Sequence, residues 1–206
     1  MAAEHASVHT PERAPIDTEV TPVPDVDEAL VETVTDLAPG RALDLGCGRG
    51  QNAIWLARQG WTVGGVDISP GAIDESRDVA AAFDVDALFE VQDVTSWRPR
   101  YRYDLVLSTF ALPAKGAGRS RMLDMAREAV APGGTIIIRE LDISLGRDGW
   151  MSERYLVSTD ELERVFDGFR IDRKAVRITR HAIGTDERVL PVATFVATRR
   201  TDLRSL

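Results

Sequence analysis

The sequence carries a single cysteine, Cys47, in 206 residues. It can therefore form no internal disulfide and supply no multi-cysteine metal site. Three histidines, His5, His9 and His181, are scattered without the spacing that metal ligands need, so chemistry without a metal is expected. No stretch approaches the roughly 20 consecutive apolar residues of a membrane helix. The N-terminus places Glu4 and His5 where a secretion signal would have lysine or arginine ahead of an apolar run, and the expectation is a soluble, cytoplasmic protein. A basic cluster is missing too. Of the net charge of −8, residues 1 to 28 hold −6, from Glu4, Glu12, Asp17, Glu19, Asp25, Asp27 and Glu28 against Arg13 alone, which leaves −2 for the rest. Without cations gathered to neutralise phosphates, affinity for nucleic acid has no source, and a small-molecule partner is expected.

What is present is a 44% hydrophobic chain, enough for one substantial core and short for two. Residues 1–24 combine Pro11, Pro15, Pro22 and Pro24 with acids and few large apolar side chains, which reads as a flexible acidic arm. A single domain over residues 25–206 follows. Its first helix is predicted from Asp25, with Val26, Leu30, Val31, Val34 and Leu37 at helical spacing, up to Pro39-Gly40. Short apolar runs come next, at Ala42–Leu45, Thr62–Val66, Ala87–Val91, Leu105–Leu107 and Thr135–Ile138. Helices are predicted between them at Gln51–Arg58, at Pro70–Phe83 behind a Ser69 cap, and at Arg119–Val130 before Pro132. The segment Asp93–Tyr103 is too short for a crossover helix. A further helix, capped by Ser158 or Thr159, runs to about Val165, with Glu161 placed as in a capping box. Two β-like runs, Ile171–Arg180 and Val189–Thr198, flank a turn around Gly184-Thr185-Asp186 and read as an antiparallel hairpin. The sum is an α/β fold: a Rossmann-like, doubly wound, mostly parallel seven-stranded sheet ending in an antiparallel hairpin.

At the junction of the first strand and the helix after it stands Asp44-Leu45-Gly46-Cys47-Gly48-Arg49-Gly50-Gln51-Asn52. Open α/β sheets bind ligands at such a turn, where glycines admit a close approach and the next helix offers free N–H groups. A dinucleotide fingerprint wants its third glycine at residue 51, which is glutamine, and a P-loop wants a lysine that is missing. Asp67 ends the second strand about 20 residues on, placed to accept both hydroxyls of a ribose or else to cap the next helix. Asp93 follows the third strand, where an acid is also common turn chemistry.

Acid-x-Gly-x-Gly-x-Gly in this context resembles the first motif of class I S-adenosylmethionine-dependent methyltransferases. Gly50-Gln51-Asn52-Ala53-Ile54-Trp55-Leu56-Ala57 with Gly60-Trp61-Thr62-Val63 looks like the small-molecule branch that includes tellurite-resistance methyltransferases. The resemblance spans about Asp25 to Arg199. It implies S-adenosylmethionine as cofactor, held by Asp44, Gly46, Cys47, Gly48, Gly50 and Asn52 at the turn and by Asp67 with Ile68 beyond the second strand. It further implies Asp93 and Val94 at the adenine, and Ser108, Thr109 and Phe110 near the methionine end. Relatives often carry a histidine around Ala111-Leu112-Pro113; this chain has none there, so no role of that histidine transfers. Loops at the carboxyl ends of the strands should face the acceptor, which nominates Arg139, Trp150, Arg154 and Tyr155. Each has a blander reading as a solvated arginine or a packing aromatic. Cys47 reads as a small buried filler rather than a nucleophile. No residue stands out as a catalytic base, which suits in-line methyl transfer governed by positioning. The alternative is a protein of this fold that binds the cofactor without transferring methyl. Nothing in the sequence decides between a monomer and a homodimer.

Overall fold

The computed structural model describes residues 26–148, 151–183 and 186–201. The acidic arm expected over 1–24, Trp150, and Gly184-Thr185 of the expected turn lie outside the described residues. Helix α1 spans Glu28–Val34, three residues inside the expected start, and Asp27 is its N-cap: its carboxylate accepts from the amides of Ala29 and Leu30. Strand β1 (Arg41–Leu45) leads to α2 (Gln51–Arg58), β2 (Thr62–Asp67), α3 (Pro70–Ala82) and β3 (Ala87–Val91). Ser69 caps α3 as expected, accepting from Ala72 N. Turns alone join β3 to β4 (Tyr103–Thr109), and α4 (Ala117–Ala129) runs directly into β5 (Val130–Leu141). Two short 3-10 turns, Ile143–Asp148 and Glu153–Tyr155, precede α5 (Thr159–Val165), β6 (Phe169–Ile183) and β7 (Asp186–Arg199). Ser158 caps α5 through Glu161 N, but the Glu161 carboxylate turns to Arg119 instead of closing the capping box.

The seven strands lie in the order β3-β2-β1-β4-β5-β7-β6, with β1 to β5 parallel and β7 antiparallel to both its neighbours. The central strands of the sheet are buried on both faces, and alternate residues of such a strand supply opposite cores. In β5, Ile136 and Ile138 join Val106, Phe166 and Phe195 under α4 and α5, whereas Ile137 joins Leu105, Leu107 and Ile54 under α1 to α3. The hairpin β6–β7 belongs to this core through Phe195, which is fully buried and stacks 5.7 Å from Phe166. Strand order reverses at β1, flanked by β2 on one side and β4 on the other. That is the point where a crevice opens outside the carboxyl ends of the strands.

Candidate cofactor site

The turn after β1 sits in that crevice and is pinned to β2. Gly46 N and Cys47 N both donate to Val66 O, at 2.8 and 3.0 Å, and Gly48 N donates to Asp67 Oδ2 at 2.9 Å. Gly46 takes φ +73°, and a Cβ there would stand 2.3 Å from the Cβ of Ala111, so this position excludes a side chain on two counts. Gly50, at φ +82°, caps α2 and faces inward, where a Cβ would press on Phe89 and Ser76 at 3.0 Å. Its constraint is core packing.

A cavity of about 710 Å³ opens over the turn. Gly46, Cys47, Gly48, Asn52, Asp67, Ile68, Asp93, Val94 and Phe110, all expected from the sequence, line it. Gln51, Thr95, Thr109, Ala111 and Pro113 complete the wall. Of these, Thr109 was expected near the methionine end, and Thr95 carried no signal beyond following Asp93. Asp67 uses one lone pair of each oxygen on the fold, Oδ2 on Gly48 N and Oδ1 on Ser69 N, both at 2.9 Å. Each oxygen keeps capacity for another donor. Asp93 is exposed and accepts from Thr95 N at 2.8 Å. Bonds from Thr95 hold its carboxyl below the usual range. Ile68 is 69% exposed on the rim between these two acids, an apolar surface suited to a flat ring.

Three expected residues are no part of the wall: Gly50, which faces the core, and Asp44 and Ser108. Asp44 is buried, neither carboxylate oxygen has a hydrogen-bond partner among the described residues, and burial with Asp67 and Asp27 nearby pushes its carboxyl up to about 7. An orphaned buried carboxylate calls for a partner. Ser108 is likewise buried with its hydroxyl unpartnered among the described residues. Burial, with Asp44 next, pushes the Cys47 thiol far above its ordinary value, so it stays a protonated filler.

The acceptor candidates are not gathered at the cavity. Arg139, buried at the end of β5, directs Nη1 to Asp27 Oδ2 at 2.6 Å and is no part of the cavity wall; the ion pair takes the guanidinium away from any acceptor. Its carbon Cζ lies 6.0 Å from the Phe110 ring centroid. The guanidinium of Arg154 stacks over the exposed ring of Tyr155 at 5.2 Å, outside the wall. What reaches the cavity from this side is a polar chain: Asp27 N donates to Asn52 Oδ1, and Asn52 Nδ2 donates to Thr109 Oγ1, each at 3.0 Å.

S-adenosylmethionine fits this donor set. A glycine turn admits close approach, an acid at the end of β2 has two oxygens with spare capacity, and an orphaned carboxylate is buried behind the wall. Known proteins agree. Residues 42–134 match the family model described as a methyltransferase domain. A protein named Hemagglutinin 1 from Eikenella corrodens is 32% identical over 55% of this chain, which spans 39% of it. A probable thiol methyltransferase 2 from Arabidopsis thaliana is 30% identical over 66% of this chain, which spans 60% of that protein. Among solved structures, one from work on the conversion of a disulfide bond into a thioacetal group during echinomycin biosynthesis superposes with TM-score 0.70 and 26% identity, over 94% of this chain and 87% of that one. TehB from Haemophilus influenzae superposes with TM-score 0.75 and 17% identity, over 85% and 63%. The chain spans less than two thirds of the length of these curated relatives. With the strand order, the turn and its acids in hand, residues 42–134 form a methyltransferase domain of the S-adenosylmethionine-dependent kind.

Proposed function

We propose that this protein transfers the methyl group of S-adenosylmethionine to a small acceptor with a soft nucleophilic atom, a thiolate above all. One observation carries the choice of acceptor: among the described residues the titratable side chains of the cavity wall are Cys47, Asp67 and Asp93, and none of these is fitted to take a proton from an alcohol. The Cys47 thiol stays protonated, Asp67 is tied to the turn, and Asp93 is an exposed carboxylate of lowered basicity. A thiolate arrives already deprotonated and asks only to be placed. The thiol methyltransferase and the protein of thioacetal formation, both matched above, support a sulfur acceptor.

In this reading Asp67 holds the ribose hydroxyls, Asp93 with the Val94 amide holds the adenine, and Ile68 covers it. Asp44 answers the amino group of the methionine portion, and the walls at Thr109, Phe110, Ala111 and Pro113 exclude water around the methyl. When bound, S-adenosylmethionine supplies a methyl carbon that a nucleophile attacks in line with the sulfur. The protein's contribution is alignment and dryness. Incubation with deuterated-methyl cofactor and, in separate reactions, thiophenol, hydrosulfide, aniline and phenol tests the proposal by mass spectrometry. Methyl on sulfur, with phenol untouched, is expected. Tight binding of S-adenosylhomocysteine with no acceptor methylated would instead favour a cofactor-binding protein without transfer.

A further inference from the structure

Phe110, on the cavity wall, holds φ +55°, a conformation that a bulky side chain adopts only when its surroundings impose it. Three contacts impose it on the segment that follows β4. Phe110 N donates to Arg139 O at 2.9 Å, Leu112 N donates to Glu140 Oε2 at 3.1 Å, and Pro113 O accepts from Arg119 Nε at 2.7 Å. Glu140 is 6% exposed, and its other oxygen accepts from Leu141 N at 3.0 Å, so one carboxylate clamps the segment to the end of β5. Arg119, 2% exposed, spends its remaining donors on Leu156 O at 2.8 Å and Arg154 O at 3.1 Å. It thereby ties the 3-10 turn Glu153–Tyr155 to the same wall. Lys115 N donates to Arg154 O as well. Arg119 also pairs with Glu161 at 3.5 Å, and burying two ionisable side chains, Glu140 and Arg119, this deep is costly, so a fold needing only packing would use apolar side chains there. Their placement, one layer behind Phe110, Ala111 and Pro113, ties two elements at the methyl end while touching no wall residue at the adenine or ribose end.

We propose that Glu140 and Arg119 are positioning residues for methyl transfer: together they lock segment 110–113 and the turn 153–155 into the shape that aligns an acceptor with the methyl group. The proposal rests on reading the cavity as a methyl-transfer site. The carboxylate of Glu140 serves two amides at once; glutamine, nearly the same size, offers an acceptor to one and turns a donor toward the other. Glu140→Gln should therefore let the wall drift while the core stays intact.

The experiment uses the full chain with Glu140→Gln, Glu140→Leu and Arg119→Lys. It reads thiophenol methylation, S-adenosylhomocysteine affinity by calorimetry, and amide exchange at Leu112 with Ile54 in α2 as an internal reference. Expected for Glu140→Gln is a fall in kcat of about 10- to 100-fold, the cost of a misplacement on the order of an ångström. S-adenosylhomocysteine affinity should stay within about threefold. Exchange at Leu112 should quicken with Ile54 unchanged. Glu140→Leu should do worse than Gln, and Arg119→Lys should show the same split between kcat and cofactor affinity. An unchanged kcat, or a kcat that falls only in step with cofactor affinity, overturns the proposal. If wild type binds S-adenosylhomocysteine but methylates nothing, the functional reading fails separately. The brace then stands or falls on Leu112 exchange, which overturns it by staying as slow in Glu140→Gln as in wild type.

Discussion

Asp67 illustrates how one carboxylate serves the fold and the ligand together. It fastens the Gly48 amide and the first turn of α3, and it presents what capacity remains to the cavity. Removing it should weaken S-adenosylhomocysteine binding by about 1.5 to 3 kcal/mol, roughly tenfold or more, the range for hydrogen bonds to a charged group. Calorimetric titration of Asp67→Ala checks this, and an affinity within twofold of wild type would dismiss the ribose role. Cys47 makes an opposite prediction. Its thiol is buried, and burial holds it protonated, so iodoacetamide should leave the native protein unlabelled and modify it fully in denaturant. Mass spectrometry reads the difference, and labelling of native protein at neutral pH would contradict the filler role.

At the scale of elements, what was legible in the sequence was local. The turn after β1 carries its glycines in the text because positive φ and the approach of Ala111 leave no other residue type, and β1, β2 and β3 announce themselves as short apolar runs between turns. The hairpin was legible because Ile171–Arg180 and Val189–Thr198 leave no room for a helix between them. What was hidden depends on partners distant in the chain. The helix start that apolar spacing sets near Asp25 falls at Glu28, behind the Asp27 cap, whose free oxygen meets Arg139, 112 residues away, and whose amide meets Asn52. The same pairing withdrew Arg139 from the acceptor side, and no periodicity signals a long-range ion pair. Asp27→Asn retains a cap for α1 but leaves the buried guanidinium without its counter-charge. A loss on the order of 3 kcal/mol is expected. At about 2–4 °C per kcal/mol for a chain of this size, differential scanning calorimetry should show a clear drop in Tm. A Tm within a degree of wild type would mean that the pin contributes nothing net.

For the whole molecule, the two buried carboxyls raised by burial give stability a pH dependence opposite to that of a protein held by surface ion pairs. Asp44 rises from 3.8 to about 7, and Glu140 from 4.5 to about 7 despite two amide bonds that pull the other way. For both, the folded pKa exceeds the unfolded one, so between about pH 4.5 and 7 the folded chain binds more protons than the unfolded chain. Their contribution is therefore fully present below the unfolded values and is lost as pH rises through about 7. Asp93 and Asp160, lowered by exposed partners, act the other way only as pH falls into the ordinary carboxylate range. Without cofactor the protein should thus be more stable at pH 5.5 than at pH 8, by on the order of 4 kcal/mol, because each of the two sites holds its extra proton over about 1.5 pH units between 5.5 and 7. Asp44→Asn and Glu140→Gln should each flatten part of that slope. Binding turns the argument round at Asp44 alone. A cationic amino group beside its orphaned oxygens favours the ionised form, so S-adenosylhomocysteine should bind more tightly as pH rises from 6 to 8, and less steeply in Asp44→Asn. Thermal melts across that range, with and without S-adenosylhomocysteine, separate the two carboxyls: a slope that persists unchanged in Asp44→Asn would place the proton elsewhere and remove Asp44 from the site.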